Sequence, residues 1–191
     1  MTAQTLERTP IAPPGGSHKN DPRSGKYLTF TLGKEEFGIQ VLRVKEIMGV
    51  QDITAVPGTP AHLKGVLNLR GKIIPVVDLR LKFAFPEAPF TQTTCIVVVQ
   101  VSQDGEPAMI GLIVDGVCEV LNLAASDIED PPDFGEGVET PFVLGIAKFK
   151  GTVKILLNIE DVLTLQELRG LTSLIPSGGQ SGYPNSPLAE Y

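Results

Sequence analysis

The chain has 191 residues and a formal net charge of -6, from 16 Lys and Arg against 22 Asp and Glu. This length allows one or two domains with a buried core, and the acidic balance argues against nucleic acid because phosphate binding requires a clustered positive field. Hydrophobic residues form 42% of the chain, yet no stretch approaches the roughly 18 consecutive apolar residues of a membrane span. The composition predicts a soluble protein.

Both ends of the chain are rich in Pro, Gly and Ser. Residues 1–25 contain four prolines and no apolar run that could act as a signal peptide, so we expect the protein to stay in the cytoplasm. Residues 1–25 and 170–191 lack the apolar surface that would offset the entropy of ordering them. We therefore predict two disordered tails around an apolar body, residues 26–169.

Alternating polar and apolar residues dominate the body. Residues 27–32 predict a half-buried strand with Leu28 and Phe30 on one face, and residues 37–41 resume the period of two after a turn. Further β-rich runs are 65–69, 72–79, 94–101, 108–114, 117–121, 142–149 and 153–157. Many short strands separated by Gly and Pro indicate small barrels or a sandwich.

Helix is predicted at two places in the body. One is a short turn at 60–64, and the other is a helix from 159 to about 168. Asn158 is a suitable N-cap for the second helix, and Ile159 and Val162 lie on its apolar stripe. The fold is therefore mostly β, with short helices that include one near the C-terminus.

The body also repeats itself. The pattern Gly38-Ile-x-Val-x-x-Val-x-Glu-Ile47 has a counterpart in Gly111-Leu-x-Val-x-x-Val-x-Glu-Val120, and the glycines at 65 and 71 recur at 145 and 151. Two halves with the same order of glycines and apolar residues should have the same fold. Because the match needs a small insertion in its middle, chance similarity between β-rich segments stays open as the alternative.

The two halves differ in charge. Residues 26–90 hold nine basic and six acidic residues, whereas residues 91–169 hold four basic and thirteen acidic residues. A mildly basic half and a strongly acidic half could direct different partners to different faces. The alternative is that these acidic and basic residues are ordinary surface charges in contact with solvent and have no role in binding.

A catalytic or metal site needs a nucleophile, a base or a cluster of ligands, and the sequence contains no such set. His62 stands alone, and Cys95 and Cys118 lack CxxC spacing and a nearby histidine, so neither a zinc site nor a triad is indicated. The two cysteines lie in apolar segments and are predicted to be buried thiols. We predict no catalytic, cofactor-binding or metal-binding residues.

Two other classes of protein remain as alternatives. A small β-barrel enzyme could use the acidic cluster at residues 127–133 with a metal, although a solvated loop is the expected state of carboxylates among prolines. A nucleic-acid-binding barrel is the other alternative. The net charge of -6 and the absence of Trp argue against phosphate tracking and base stacking.

Polar residues inside otherwise apolar strands are the remaining candidates for a functional site. Asn68 and Arg70 lie on the face opposite Leu67, just before a glycine. Glu46 is the natural carboxylate partner of Arg70 if their strands are neighbours. Such a pair is either an exposed ion pair of little net stability or a pair that fixes a binding surface.

Five short motifs follow one another along the body: YLTFTLG at 27–33, EFGI at 36–39, VKEI at 44–47, KGVLNLRG at 64–71 and IPVVDL at 74–79. Their order resembles that of the CheW family of chemotaxis coupling proteins. GLIVDGV at 111–117 extends the resemblance, which runs from Lys26 to about Leu165. Because five motifs occur in order with matching spacing, the sequence resembles this family specifically.

The resemblance implies an all-β fold of two five-stranded SH3-like β-barrels packed on a shared hydrophobic core. The approximate halves are 26–90 and 91–169, between which strands can be exchanged. It also implies an adaptor without catalysis or cofactor. Such an adaptor joins the cytoplasmic tip of chemoreceptors to the regulatory domain of the histidine kinase CheA.

Family roles transfer to matching positions of this sequence. The receptor tip, a helical element, would pack in an apolar groove near the junction of the barrels. The matching positions of the groove are Val41, Val44 and Ile47, flanked by Glu46, Gly65, Asn68 and Arg70. Val117 and Val120 match positions at or near the kinase contact, with plain strand core as the alternative. We expect a monomer in isolation that assembles into arrays at receptor clusters without inserting into the membrane. A specialised CheW-like scaffold of a second chemosensory cluster is a variant of this interpretation.

Overall fold

The computed structural model describes residues 21–103, 105–132, 140–163 and 167. Within these ranges, the strands are β1 (Gly25–Leu32), β2 (Glu35–Gln40), β3 (Val44–Gly49), β4 (Leu63–Leu69), β5 (Lys72–Asp78), β6 (Cys95–Gln103), β7 (Glu106–Val114), β8 (Gly116–Leu123), β9 (Ile128–Glu129), β10 (Val143–Phe149) and β11 (Thr152–Leu157). Two short helices follow strands directly, α1 (Leu79–Lys82) after β5 and α2 (Ile159–Val162) after β11. The prediction of a mostly β fold with few helices is confirmed.

The predicted tails lie outside the described residues, except for residues 21–25. There, the Ser24 amide donates to the Asp21 carbonyl at 3.0 Å, and the Arg23 guanidinium contacts Asp130 at 2.6 Å. β1 then begins at Gly25. Of the predicted helix at 159–168, α2 covers the first four residues, and residues 164–166 and 168 are likewise outside the described part of the chain.

The strands form two sheets, and each sheet takes strands from both sequence halves. The five-stranded sheet has the order β3-β6-β7-β5-β4, and the six-stranded sheet has the order β8-β1-β2-β11-β10-β9. We call the SH3-like units built on them barrel 1 and barrel 2, respectively. The sixth strand of barrel 2 is the two-residue β9, whose counterpart in barrel 1 is a single bridge between Thr54 and Val66.

The internal repeat is visible in the strand pairing. Hairpin β1–β2 corresponds to β6–β7, and hairpin β4–β5 corresponds to β10–β11. In each barrel, the second strand of a hairpin from one half pairs in parallel with the second strand of a hairpin from the other half, β2 with β11 and β7 with β5. The chain then crosses to the opposite sheet, so that β3 joins β6 and β8 joins β1. The two halves therefore share one topology, as the repeat predicts.

Three apolar clusters fill the molecule. The largest joins side chains of both sheets, among them Phe30 of β1 and Val99 of β6, and is the shared core between the barrels. The second contains Tyr27 and Leu156 and fills barrel 2, whereas the third contains Leu67 and fills barrel 1. An arrangement of two SH3-like subdomains on a shared core follows from these clusters.

Strand β1 differs from the half-buried strand predicted from its alternation. Tyr27 and Thr29 are as fully buried as Phe30 on the opposite face. The reason is that β1 lies between β8 and β2 and has one face in the shared core and the other in the interior of barrel 2. A strand covered on both faces cannot be recognised from alternation alone.

Each crossover between the barrels is held by an ion pair to a short helix. At the crossover between β7 and β8, Asp115 pairs with Arg80 of α1 and accepts from the Gly33 amide at 2.6 Å. At the crossover between β2 and β3, Arg43 lies 2.7 Å from Glu160 of α2. Glu160 also accepts from the Ser102 amide at 2.7 Å. The two arrangements are alike, but the positions of the acid and the base are exchanged.

Gly65 allows the segment before β4 to lie against that strand. Its φ is +136°, and a Cβ built there would be 2.1 Å from the Thr54 carbonyl oxygen. Thr54 and Val66 exchange two backbone hydrogen bonds of 2.9 Å at this point. Only a residue without a side chain permits this approach.

We expect Gly65→Ala to lower the free energy of unfolding by about 3 kcal/mol, because the methyl group strains the backbone and displaces Thr54. Urea denaturation followed by circular dichroism measures this change. Gly49→Ala is the matched control, since no atom lies within 4 Å of its added methyl group. Equal stability of the two variants would contradict the assignment.

Candidate binding surfaces

The apolar residues predicted to bind a receptor lie along the crossover into barrel 1 and its edge strand. Val41 begins the 3-10 turn Val41–Arg43, and Val44 and Ile47 follow on β3. Val41 and Val44 are half-buried and pack against the shared core, whereas Ile47 is 46% exposed. Val44 pairs with Val99 and Ile47 with Val97, two shared-core residues. The three side chains therefore follow the margin of the core at the junction of the barrels.

Glu46 and Arg70 form the predicted ion pair, with 2.9 Å between Arg70 Nη2 and Glu46 Oε1. Their strands are not hydrogen-bonded neighbours, because β3 and β4 lie at opposite ends of the sheet order. The pair instead connects the two edges of the curled sheet of barrel 1. The Arg70 side chain is 79% exposed, so the pair adds little to stability and presents a guanidinium to solvent.

Asn68 and Gly65 support this surface from within the fold. The Asn68 Oδ1 accepts from the Gly71 amide at 2.8 Å. Arg70 and Gly71 both have positive φ, 52° and 85°, which is the geometry of a type I′ hairpin turn. Asn68 therefore stabilises the turn that carries Arg70, whereas Gly65 is buried beneath Thr54.

Leu42 was not predicted from the sequence, although it is the most exposed large hydrophobic side chain of the described residues, at 87%. It lies in the 3-10 turn between Val41 and Arg43. In the repeat, the position that corresponds to Leu42 is Asp115, which is tied to Arg80. Comparing the two halves position by position would have revealed an apolar residue where its counterpart is charged.

The residues predicted to contact a kinase lie on β8, the edge strand of barrel 2. Val117 is half-buried and packs against the shared core, consistent with the alternative of strand core. Val120 is 53% exposed, so this alternative does not hold for it. In the repeat, Val117 and Val120 correspond to Val44 and Ile47, which places the two candidate surfaces at equivalent positions of the two barrels.

The prediction of two buried thiols is wrong for Cys118, which is exposed, while Cys95 is half-buried. Cys118 lies at a bulge of β8, where the alternation of buried and exposed positions breaks down. Desolvation raises the pKa of both thiols, and for Cys118 the nearby carboxylates of Glu36 and Glu119 raise it as well. Both side chains are therefore protonated and weakly nucleophilic at neutral pH.

A cavity of about 220 Å³ opens between the start of β1 and α2. It is lined by Pro22, Arg23, Gln40, Arg43, Leu144, Leu157, Asn158 and Ile159. Arg23 is paired with Asp21 and Asp130, and Arg43 is paired with Glu160. Because carboxylates already neutralise both guanidinium groups, the cavity is poorly suited to an anionic ligand.

Across the described ranges, no three His, Cys, Asp or Glu side chains lie close enough together to hold a metal ion, and no helix is long and apolar enough to cross a membrane. Among the described residues, five large hydrophobic side chains are exposed, and two of them, Ile47 and Val120, lie on the edge strands β3 and β8. Exposed apolar side chains on an edge strand are typical of a surface that contacts another protein.

Comparison with known proteins identifies the family. A CheW-like domain matches residues 26–167. The chemotaxis protein CheW of Klebsiella aerogenes is 38% identical over 143 residues, which cover 75% of this chain and 84% of that protein. CheW of Bacillus subtilis is 34% identical over 151 residues, 79% of this chain and 92% of that protein. The chain belongs to the CheW-like domain family.

A solved structure supports the same fold. The scaffolding protein TtCheW from Thermoanaerobacter tengcongensis superimposes with a TM-score of 0.67 at 34% sequence identity. The match covers 75% of this chain and 97% of that structure. The resemblance seen in the motifs of the sequence is thereby confirmed.

We expect Asn68→Ala to lower the free energy of unfolding by about 1 kcal/mol, since a turn amide loses its partner. Arg70→Ala should change it by less than about 0.5 kcal/mol, because the ion pair is exposed. Parallel urea titrations of the two variants measure the difference. A larger loss from Arg70→Ala would make the ion pair, and not the turn, the stabilising element.

Proposed function

We propose that this protein is a non-catalytic adaptor that couples chemoreceptors to the histidine kinase CheA in chemosensory arrays. The observation that carries the proposal is the pair of equivalent edge strands, β3 and β8, on either side of one shared core. Each strand exposes one aliphatic side chain, Ile47 or Val120. An adaptor needs two separate surfaces held at a fixed distance, and a repeat on a common core supplies them.

The receptor binds at the crossover into barrel 1. Val41, Val44 and Ile47 provide an apolar strip beside the shared core, and the exposed Leu42 extends it. Such a strip suits the apolar face of a helix, with contacts at positions i, i+3, i+4 and i+7. The Arg70 guanidinium, oriented by Glu46 and by the turn that Asn68 stabilises, offers a planar hydrogen-bonding group at one end of the strip.

The regulatory domain of CheA binds at β8 of barrel 2. Val120 gives this strand an exposed apolar contact, and Val117 anchors the strand to the shared core. An edge strand also presents backbone groups that a partner strand can use. The protein works in the cytoplasm and is recruited to receptor clusters through these two contacts.

One substitution on each edge strand tests whether β3 binds the receptor and β8 binds the kinase. We expect Ile47→Asp to weaken binding of the receptor's cytoplasmic tip by roughly 30-fold, because a charge is buried in an apolar contact, and to leave kinase binding unchanged. Val120→Asp should do the reverse. Calorimetric titration of each variant with the CheA regulatory domain and with the receptor fragment measures both affinities.

The two variants are matched controls, since Ile47 and Val120 are equivalent positions of the repeat with similar exposure. Loss of both partners in either variant would indicate damage to the shared core. Unchanged affinities in both variants would show that the two strands are not the binding surfaces.

We expect Arg70→Glu to leave the melting temperature nearly unchanged and to weaken receptor binding about tenfold or more, because the exposed guanidinium is replaced by a charge that repels Glu46. Thermal melts and the same receptor titration measure the two effects. Lys72→Glu makes an equal charge change on an exposed neighbour and should bind like the parent. Unfolding of Arg70→Glu would instead assign Arg70 a structural role.

A further inference from the structure

The pairing between β1 and β8 is interrupted by a bulge at Thr29. Leu28 pairs with Val120 and Phe30 with Val117, so Cys118 and Glu119 together lie opposite Thr29. The Thr29 hydroxyl donates to the Glu119 carbonyl oxygen at 2.9 Å and accepts from the Glu119 amide at 3.2 Å. One fully buried side chain thus binds both backbone polar groups of a bulge residue.

Barrel 1 contains the same bulge in β3, but the residue opposite it has no hydroxyl group. Val44 pairs with Val99 and Glu46 with Val98, which leaves Lys45 as the extra residue. Thr29 lies opposite Gly38, and Val98 lies opposite Gly111, its repeat counterpart. Val98 is therefore the equivalent of Thr29, and it is also fully buried. Because the bulge forms around a valine in barrel 1, the hydroxyl of Thr29 is not a requirement of the fold.

We propose that Thr29 is a positioning residue, which fixes the shape of β8 where it presents Val120 to the kinase. An edge strand is held on one side only, and a bulge further disrupts its ladder. Two hydrogen bonds from a buried hydroxyl restrict the bulge and the residue that follows it. A strand that is already ordered loses less conformational entropy when a partner binds. This inference rests on the proposed kinase contact through β8.

Thr29→Val removes the hydroxyl and keeps the branched shape that Val98 has in barrel 1. We expect amide hydrogen exchange at Glu119 and Val120 in the unbound protein to become about tenfold faster. Affinity for the CheA regulatory domain should fall about three- to tenfold, with receptor affinity unchanged. Thr29→Ser, which retains the hydroxyl, should restore slow exchange and kinase binding.

Thr31→Val is the matched control on the same strand, because the Thr31 hydroxyl makes a long contact of 3.5 Å to the Gly116 carbonyl oxygen. It should leave both exchange and kinase affinity near the parent values. If Thr29→Val does not fold, the pair Thr29→Ser and Thr29→Ala isolates the same hydroxyl.

The inference is overturned if amide hydrogen exchange at β8 is the same in Thr29→Val as in the parent. It is also overturned if exchange in Thr29→Val is faster but affinity for the CheA regulatory domain is unchanged. If the parent protein does not bind the kinase domain, the proposed function fails and the positioning role fails with it. Exchange measured on the unbound protein does not depend on the partner, so these failures are distinguishable.

Discussion

The exchange of a two-stranded hairpin between the two halves of the repeat is the constraint on which the rest of the molecule depends: β1–β2 pair with strands of the second half, and β6–β7 pair with strands of the first. Because β3 joins β6 and β8 joins β1, neither half can complete its sheet alone. The exchange also brings both sheets against one shared core, and β1 is buried between this core and the interior of barrel 2. The ion pairs Arg80–Asp115 and Arg43–Glu160 hold the two crossovers against the short helices. The distance between the barrels is therefore set by covalent connections and a packed interior, as coupling two partners requires.

The same exchange creates the two candidate binding surfaces. Each of β3 and β8 is the first strand after a crossover and pairs with the exchanged hairpin of the other half, so it lies at one edge of its sheet, with β4 or β9 at the other edge. Equivalent positions have then diverged in chemistry. Leu42 is exposed, whereas its equivalent Asp115 is paired with Arg80. Thr29 forms hydrogen bonds to the bulge of β8, whereas its equivalent Val98 packs against the bulge of β3 without them. A duplicated scaffold can acquire two specificities in this way, because residues outside the shared core change without altering its packing.

Much of the fold was predictable from alternation and from the repeat, because most strands have one covered face. β1 was misjudged because both of its faces are covered. α1 was missed because it has four residues and is marked mainly by Asp78, whose carboxylate accepts from the amides of Arg80 and Leu81. Lys154 is 3% exposed and paired with Glu36 inside barrel 2. A lysine in a strand pattern predicts an exposed position, and only the parallel pairing of β11 with β2 places the compensating carboxylate beside it.

For the candidate site, complementary charge was enough to predict that Glu46 and Arg70 meet, but not that they do so across the edges of a curled sheet. Cys118 was misplaced because a bulge shifts the phase of alternation, and a bulge leaves no mark in a single strand's sequence. Comparison of the two halves of the repeat gives information about such positions that alternation within one strand does not. Where equivalent positions carry residues of unlike chemistry, as Thr29 and Val98 or Leu42 and Asp115 do, the shared fold does not require both residues. At such a position, we expect function to have selected the residue that has no structural role, as the exposed Leu42 has none beside the ion-paired Asp115.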